Sequence, residues 1–388
     1  MRISSLKLYN WKNFHECSVS LTERCFIVGA NATGKSNFLD AIRFLKDIVK
    51  TGGGLQKAVD DRGGIKRIRC LAARRRTDVS LEVTLSEGQQ DKWRYMLSFK
   101  HSGGGILTNE VMVNYEKVFL IPENRYLLDR TGFSEEETKE TLKYTHLEQA
   151  VTSKDFFDLK EALQNIQYLN IIPQLVRESN SDGGGYKDDY YGRNFLSDLA
   201  KLNEVTRNKY LRLINEVLRQ AVPQLDNLTF VRDDKGFYHL EAKYQHWRAQ
   251  GSRQTERQFS DGTLRLIGFL FAVLSAKGIL LLEEPEINLH PGVVAQLPEF
   301  LAKLQRYKHR QLIITTHSYD ILANDGIDER EVILLTNGNE GTLAENVSKV
   351  SDIRNVLGAG FSMADAVLPL SRPEHIQNLG LVEIEEGE

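Results

Sequence analysis

The stretch Gly29-Ala-Asn-Ala-Thr-Gly-Lys-Ser36, followed by Asn37, constrains this chain more than any other. It follows the apolar run Cys25-Phe-Ile-Val28 and precedes a helical pattern from Phe38 to Val49. Strand, glycine loop and helix in that order are the context of a phosphate-binding loop. Gly29 and Gly34 let the backbone curl, so that successive N–H groups across Ala30, Asn31, Ala32 and Thr33 point inward at an anion. The helix N-terminus adds about half a positive charge at the same point. Lys35 is placed to reach β- and γ-phosphates, and the Ser36 hydroxyl suits Mg²⁺. The competing reading is a glycine turn with an incidental Lys-Ser pair, which leaves the flanking strand and helix unexplained.

The 388 residues are enough for about two to three domain-sized units, and 41% hydrophobic content can fill a core. No stretch approaches the roughly 18 consecutive apolar residues of a membrane span. The start, Met-Arg-Ile-Ser-Ser-Leu, has no apolar signal core, which predicts a cytoplasmic protein. Cys17, Cys25 and Cys70 are scattered, lack metal spacing and are expected as reduced thiols. A net charge of -3 argues against a globally basic nucleic-acid binder but leaves local patches open.

In chain order, Ile3–Tyr9 and Cys17–Leu21 read as strands around the turn Asn10-Trp-Lys-Asn-Phe14. Such a hairpin could roof a nucleotide, with Lys12, Asn13 and Phe14 touching base or ribose, or could be a plain turn. After Gly52-Gly-Gly54 comes a basic run: Arg62, Lys66, Arg67, Arg69, Arg74, Arg75 and Arg76. It is either a contact surface for a nucleic-acid backbone or a solvated loop paired with acids such as Asp60 and Asp61. Val79–Leu85, Trp93–Phe99 and Ile106–Asn114 alternate apolar and polar, predicting an antiparallel sheet, with a loop at His101-Ser-Gly-Gly-Gly105. Beyond Pro122, apolar residues at Phe156, Leu159, Leu163 and Ile166, then Leu196, Leu199, Leu202, Leu213 and Val217, fall near helical spacing and read as core. A glycine- and tyrosine-rich loop, Asp182–Gly192, separates them.

Leu228–Arg232 and Phe237–Tyr244 predict a hairpin around Asp233-Asp-Lys-Gly236. Gln258-Phe-Ser-Asp-Gly-Thr-Leu-Arg265 leads into a mostly apolar, buried helix over 264–277. Gly278-Ile-Leu-Leu-Leu-Glu-Glu-Pro-Glu286 reads as a buried parallel strand with an acidic tip. Ligands of open α/β sheets bind at such carboxyl ends. Adjacent buried carboxylates repel and are desolvated at a cost unless a cation sits there, and nucleotide-bound Mg²⁺ meets that need. After Asn288-Leu-His-Pro291 a helix runs to about Tyr307. A further apolar strand, Gln311-Leu-Ile-Ile-Thr-Thr316, ends in His317-Ser318, and Glu331–Leu335 gives one more. The tail from Val350, with Leu357-Gly-Ala-Gly-Phe361, ends in Glu383, Glu385, Glu386 and Glu388 and reads as a docking or lid segment.

Four stretches in this order resemble an ABC-type ATPase head: the phosphate loop, Phe259-Ser-Asp-Gly-Thr263, the run ending in Glu283-Glu284, and Thr-Thr-His317. The hairpin Asn-Trp-Lys-Asn-Phe, the Gly-Lys-Ser-Asn sequence and Glu-Glu-Pro-Glu-Ile-Asn-Leu-His-Pro are similar to the SMC/RecF/OLD branch, nearest the AAA-type ATPases of bacterial OLD-like systems. The resemblance covers about the first 120 residues and 228–340. It implies an α/β P-loop NTPase with an antiparallel β lobe and a helical insertion. The expected layout is lobe I at 1–120, the helical insertion at 121–225, lobe II at 226–345 and a tail at 346–388.

Carried onto this sequence, the resemblance implies that Gly29 to Asn37, with Asn13 beside them, hold ATP. Lys35 neutralises phosphate, Ser36 and Glu283 serve Mg²⁺, Glu284 is the general base and His317 senses the γ-phosphate. Ser260 and Gly262 form the signature that completes the opposite subunit's site, with 288–290 at that interface. ATP would then pair two heads and hydrolysis release them. Two features depart from the usual pattern. Glu283 stands where many such heads have Asp, and the Q-loop glutamine is unassigned, with Gln89 and Gln90 as weak possibilities. Only about 70 residues follow His317, too few for the TOPRIM nuclease domain of OLD nucleases, so an effector nuclease or toxin is expected as a separate chain. The alternatives are a RecF-like DNA-maintenance ATPase binding duplex through Arg62–Arg76, a transporter subunit, and a scaffold that binds ATP to dimerise.

Overall fold

The computed structural model describes residues 1–74, 76–103, 110–131, 138–149, 154–179, 189–245, 252–372 and 376–381. The hairpin β1 (Arg2–Trp11) and β2 (Phe14–Ser20) leads into β3 (Arg24–Gly29) and the helix Lys35–Val49. A meander follows: β4 (Val79–Glu87), β5 (Gln90–His101), β6 (Val111–Leu120) and β7 (Arg125–Thr131). The short β8 (Gln167–Leu169) precedes the helices Phe195–Lys201 and Glu204–Ala221. Next come β9 (Leu225–Arg232), β10 (Tyr238–Tyr244) and β11 (Ser252–Thr255), then the helix Asp261–Ser275. The last strands are β12 (Leu280–Glu283), β13 (Leu312–Thr316), β14 (Val332–Gly338) and β15 (Gly341–Asn346).

These strands form three sheets. One is antiparallel, in the order β2-β1-β4-β5-β6-β7, and a smaller one runs β11-β10-β9. The central sheet runs β15-β14-β3-β13-β12-β8, parallel except for β15. Its strands are apolar on both faces because both faces are covered. Alternation along each strand assigns the faces. Cys25 and Ile27, Leu281, Ile313, Ile333 and Leu335 join a core with the antiparallel sheet and the helix Lys35–Val49. Phe26 and Val28, Leu280, Leu282, Leu312, Ile314, Val332 and Leu334 join a second core with the helix Asp261–Ser275. A one-residue slip of any central strand would exchange these two sets, so register is tightly specified.

The helix Lys35–Val49 is therefore held between two sheets. Phe44 seats it on the antiparallel sheet, with its ring 5.1 Å from Trp11 on β1 and 5.4 Å from Phe99 on β5. Buried Gln311 ties the antiparallel sheet to β13, donating to Ile3 O at 2.7 Å and accepting from Ile3 N at 2.8 Å. Thr316 pairs with Val28, and Glu283 with Thr315, so β3, β12 and β13 end side by side.

Several elements differ from the sequence reading in physically instructive ways. The antiparallel sheet continues past position 120 through β7, and β8 adds an edge to the central sheet, so 121–225 carries strands as well as helices. The start of the expected strand Ile106–Asn114 and most of the loop 182–192 lie outside the described residues. The helix expected from Pro291 to Tyr307 is broken into Pro291–Val294 and Leu297–Lys308. In the tail, Ile353, Met363, Ala364 and Val367 are buried in the second core.

Candidate functional site

The loop after β3 is shaped by close packing. A Cβ on Gly29 would stand 2.5 Å from Thr33 Oγ1 and 2.8 Å from Leu335 O. Gly34 has φ +95°, and a Cβ there would lie 2.0 Å from Asn13 Nδ2, so only glycine fits at either position. Ala32 also has a positive φ, 65°, which curls the loop between the two glycines. Lys35 folds back over this curl, and its Nζ donates to Gly29 O at 2.9 Å and Ala30 O at 3.2 Å. Its ammonium pKa is lowered by burial, against the opposing pull of Glu284, Glu286 and Glu283.

The acidic strand end meets the loop directly. Ser36 Oγ donates to Glu283 Oε1, and Tyr168 OH, on β8, donates to Glu283 Oε2. The next residue, Glu284, turns sharply, with φ +41°, an uncommon conformation for a side-chain-bearing residue. Its N–H donates to Thr315 O at 3.1 Å, and its carbonyl accepts from Arg265 Nη2 at 2.9 Å. Its carboxylate sits 3.1 Å from His317 Nδ1 and 3.9 Å from Lys35 Nζ. Glu286 is buried: Oε1 accepts from Thr316 Oγ1 at 2.6 Å, and Oε2 has no hydrogen-bond partner among the described residues. Burial raises its pKa, opposed by the Thr316 hydroxyl and the His317 amide.

Ser260 caps the helix Asp261–Ser275, accepting from Thr263 N at 3.2 Å. Gly262 is pressed against the Asn288 carbonyl, 2.3 Å from where its Cβ would be. His290 in turn caps Pro291–Val294. Ser260 and Gly262 thus engage their own helix and the 288 turn, while Lys35, Ser36, Glu283, Glu284 and His317 gather around the loop.

A family model described as "AAA domain, putative AbiEii toxin, Type IV TA system" matches residues 25–323, most of the chain. The chain belongs to this AAA family. A second model, "P-loop containing region of AAA domain", matches residues 3–45. The family matched is named for AbiEii rather than for OLD. No curated protein matches the sequence. Among solved structures, an SMC head bound to the C-winged helix domain of ScpA aligns at TM-score 0.54 and 14% identity, covering 89% of this chain and 97% of that one. The SMC head domain from Thermotoga maritima aligns at TM-score 0.48 and 13% identity over 89% and 99%. An Smc head with an extended coiled coil, bound to the C-terminal domain of ScpA derived from Pyrococcus furiosus, gives 0.49 and 14% over 92% and 99%. The first of these shows the fold: this AAA chain has the α/β P-loop fold seen in that SMC head.

Residues weighed for the nucleotide make the following contacts in this AAA chain. Phe14 is fully buried and meets Phe38 edge-on, with ring centroids 6.2 Å apart. Lys12 pairs with Asp40 at 2.7 Å. The Asn13 amide donates to Thr33 O at 2.9 Å and accepts from Asn37 Nδ2 at 2.8 Å, buttressing the loop from outside. Arg62 is not part of a surface, since its guanidinium is buried between Asp40 and Asp47 at 2.8 and 2.9 Å. Against the raising effect of burial, Arg62, Arg43 and Lys12 hold Asp40 down to about 2. Lys66, Arg67, Arg69 and Arg74 are exposed, Arg76 pairs with Asp78, and Arg75 lies outside the described residues. Gln89 and Gln90 sit at the β4–β5 turn, and Gln89 shares a crevice with Arg24 and Glu331 at the opposite, amino ends of the central strands.

The sequence reading missed three residues of the site. Glu286 was visible as the last acid of Glu-Glu-Pro-Glu. Arg265 follows the signature by three residues and carried only a charge as its signal. Tyr168 had none, because β8 is three residues long and reaches the site only through pairing with β12. Among the described residues no helix is long and apolar enough to cross a membrane. All three cysteines are buried and free, and burial pushes Cys17 up to about 12.

Proposed function

We propose that this chain binds ATP with Mg²⁺ at Gly29–Asn37, hydrolyses it, and uses the nucleotide to pair two copies. That pairing would act as a switch on a separate effector, a nuclease or toxin, in anti-phage defence. One observation carries the reading: the Ser36 hydroxyl and the Glu283 carboxylate meet where β3 and β12 end, with Glu284 and His317 adjoining. A hydroxyl and a carboxylate are the hard oxygen ligands that Mg²⁺ takes beside nucleotide phosphates. Three carboxylates stand there against Lys35 and Arg265, an excess of negative charge that a divalent cation offsets. Bound ATP would supply the phosphoryl group, and its Mg²⁺, held by Ser36 and Glu283, would supply the positive charge between the phosphate oxygens and these carboxylates.

In this reading Lys35 gives up its loop carbonyls to hold phosphate oxygens. Glu284 Oε1 takes the proton of the attacking water, and His317 Nδ1 at 3.1 Å keeps that carboxylate aimed. Asn13 serves the loop's shape. Ser260 and Gly262 complete the second copy's site, since within this chain they face their own helix and the 288 turn. The family's description as a type IV toxin–antitoxin system supports the defence setting. The SMC head solved with a ScpA domain supports a head that carries a protein partner.

Phosphate release with Mg²⁺-ATP tests the reading. Wild type turns over, and Lys35→Ala and Glu284→Gln lose about 10²-fold or more, while Glu284→Gln still binds nucleotide. Turnover of Glu284→Gln at the wild-type rate would remove Glu284 as the base.

A further inference from the structure

The acidic strand end has a neighbour that the reaction, as set out above, does not use. Tyr168 lies on β8, beside β12, where Leu169 pairs with Leu282. Its hydroxyl donates to Glu283 Oε2, while Ser36 holds Oε1. The Tyr168 ring is held in turn. The Arg43 guanidinium, from the phosphate-loop helix, lies 5.0 Å from the Tyr168 ring centre and 5.1 Å from that of Tyr190. The two tyrosines meet edge-on at 5.6 Å. Arg43 Nη2 is fixed by Asp40 at 2.7 Å. Tyr190 belongs to a turn strapped to the β8 extension, where Asn170 N donates to Tyr190 O at 2.9 Å and Ile172 N to Tyr191 O at 3.0 Å. Asp189 pins that turn by accepting from Tyr191 N at 3.0 Å and Asn194 N at 2.6 Å.

We propose that Tyr168 is a positioning residue that fixes the rotation of the Glu283 carboxylate, and that the Arg43–Tyr190 stack makes this rotation depend on the 189–194 turn. The inference rests on the ATP and Mg²⁺ reading above. A carboxylate with one oxygen committed to a phenol presents the other in one direction only. Without the phenol it can rotate about its last bond, and Oε2 is left without its donor. Outer partners of this kind typically set metal affinity by about 10- to 100-fold when removed. The stack makes the 189–194 turn a lever: whatever displaces Tyr190 loosens Arg43, then Tyr168, then Glu283.

The test uses the full-length chain and two readouts. One is the Mg²⁺ dependence of phosphate release. The other is the thermal shift given by ATP, measured with Mg²⁺ and again with EDTA. Tyr168→Phe is expected to need about tenfold more Mg²⁺ for half-maximal turnover. Its Mg²⁺-dependent thermal shift moves by the same factor, and its shift with ATP in EDTA stays as in wild type. Arg43→Met, which keeps the hydroxyl, gives a smaller weakening of about threefold. A Tyr168→Phe enzyme that is slower but shows wild-type Mg²⁺ dependence would overturn the inference, because a merely structural defect does that. An Arg43→Met enzyme indistinguishable from wild type would overturn the lever. If wild type itself neither binds nor hydrolyses ATP, the ATP reading fails first. If it does both and Tyr168→Phe matches it, only the present inference fails.

Discussion

Two helices in this protein begin with glycines in tight quarters, and they are treated very differently. At the first, Gly29–Ser36, the chain supplies its own surroundings: Asn13 and Thr342 from outside, and Glu283, Glu284 and His317 across the strand ends. At the second, Ser260–Gly262, the neighbours are Thr263 of the same helix and the Asn288 carbonyl. In the function proposed above, the first is a nearly assembled phosphoryl-transfer site. The second is a helix start with a glycine at a close approach and no chemistry of its own. An active site divided between two copies would need one of each kind on every chain.

The largest expected effect falls on the first helix start. Lys35→Ala and Glu284→Gln each reduce turnover by about 10²- to 10⁴-fold, but they part in binding, since only Lys35→Ala also weakens nucleotide affinity. Steady-state phosphate release beside equilibrium nucleotide binding makes the distinction. At the second helix start, Gly262→Ala forces a Cβ against the Asn288 carbonyl at 2.3 Å, so backbone must shift. Turnover should drop by about 10- to 100-fold with ATP affinity per chain retained. Equal losses of binding in Gly262→Ala and Lys35→Ala would break the comparison, because both helix starts would then belong to one site.

A smaller effect separates shape from contact. Asn13→Ala removes the amide that accepts from Asn37 at 2.8 Å and reaches Thr33 O at 2.9 Å. Losing a buttress rather than a ligand should weaken nucleotide binding by only about 3- to 10-fold, with kcat nearly unchanged. A loss as large as that of Lys35→Ala would move Asn13 onto the nucleotide itself.

The smallest effect on either helix start concerns Glu116, in the antiparallel sheet. It is fully buried, and burial pushes its carboxyl up to about 7 despite donors from His146 N, Leu147 N and Tyr95 and the nearby Arg130. Because the folded value lies above the unfolded one, the folded chain holds a proton that the unfolded chain releases near its ordinary value of 4.5. Stability is therefore greatest below the ordinary value, falls as pH rises to about 7, and levels off above that. The loss amounts to about 3 kcal/mol at most. Glu116→Gln should flatten the melting temperature between the two values while ATP turnover per folded chain is unchanged. An unaltered pH slope in that variant would assign the slope to other groups.

What the sequence disclosed follows its local patterns. The phosphate loop, the acidic strand tip and the Thr-Thr-His strand end each combine an apolar run with a chemical residue at its end, and strand order needs little more than that. The edge strands β8 and β11 escaped because, at three and four residues, they carry no long alternation. Tyr168 escaped for the same reason, since its meeting with Glu283 is set by pairing over more than a hundred positions. Arg62 was placed in a basic run because sequence shows charge but not partners. Asp40 and Asp47 lie on the loop helix, and two buried carboxylates there require a cation. For Phe14 the sequence leaves a contact to base or ribose and a plain turn equally open; an aromatic at the tip of a hairpin packed on a helix is better spent in the core, where it meets Phe38.

The most direct test of a divided site is the light-scattering mass of Glu284→Gln with and without Mg²⁺-ATP, which separates pairing from turnover. The account predicts a monomer-sized particle without nucleotide, a doubled mass with it, and no doubling when Gly262→Ala is added. A mass that stays the same with and without ATP would contradict it, and would mean that the helix start at Ser260 is not the missing half of the phosphate site.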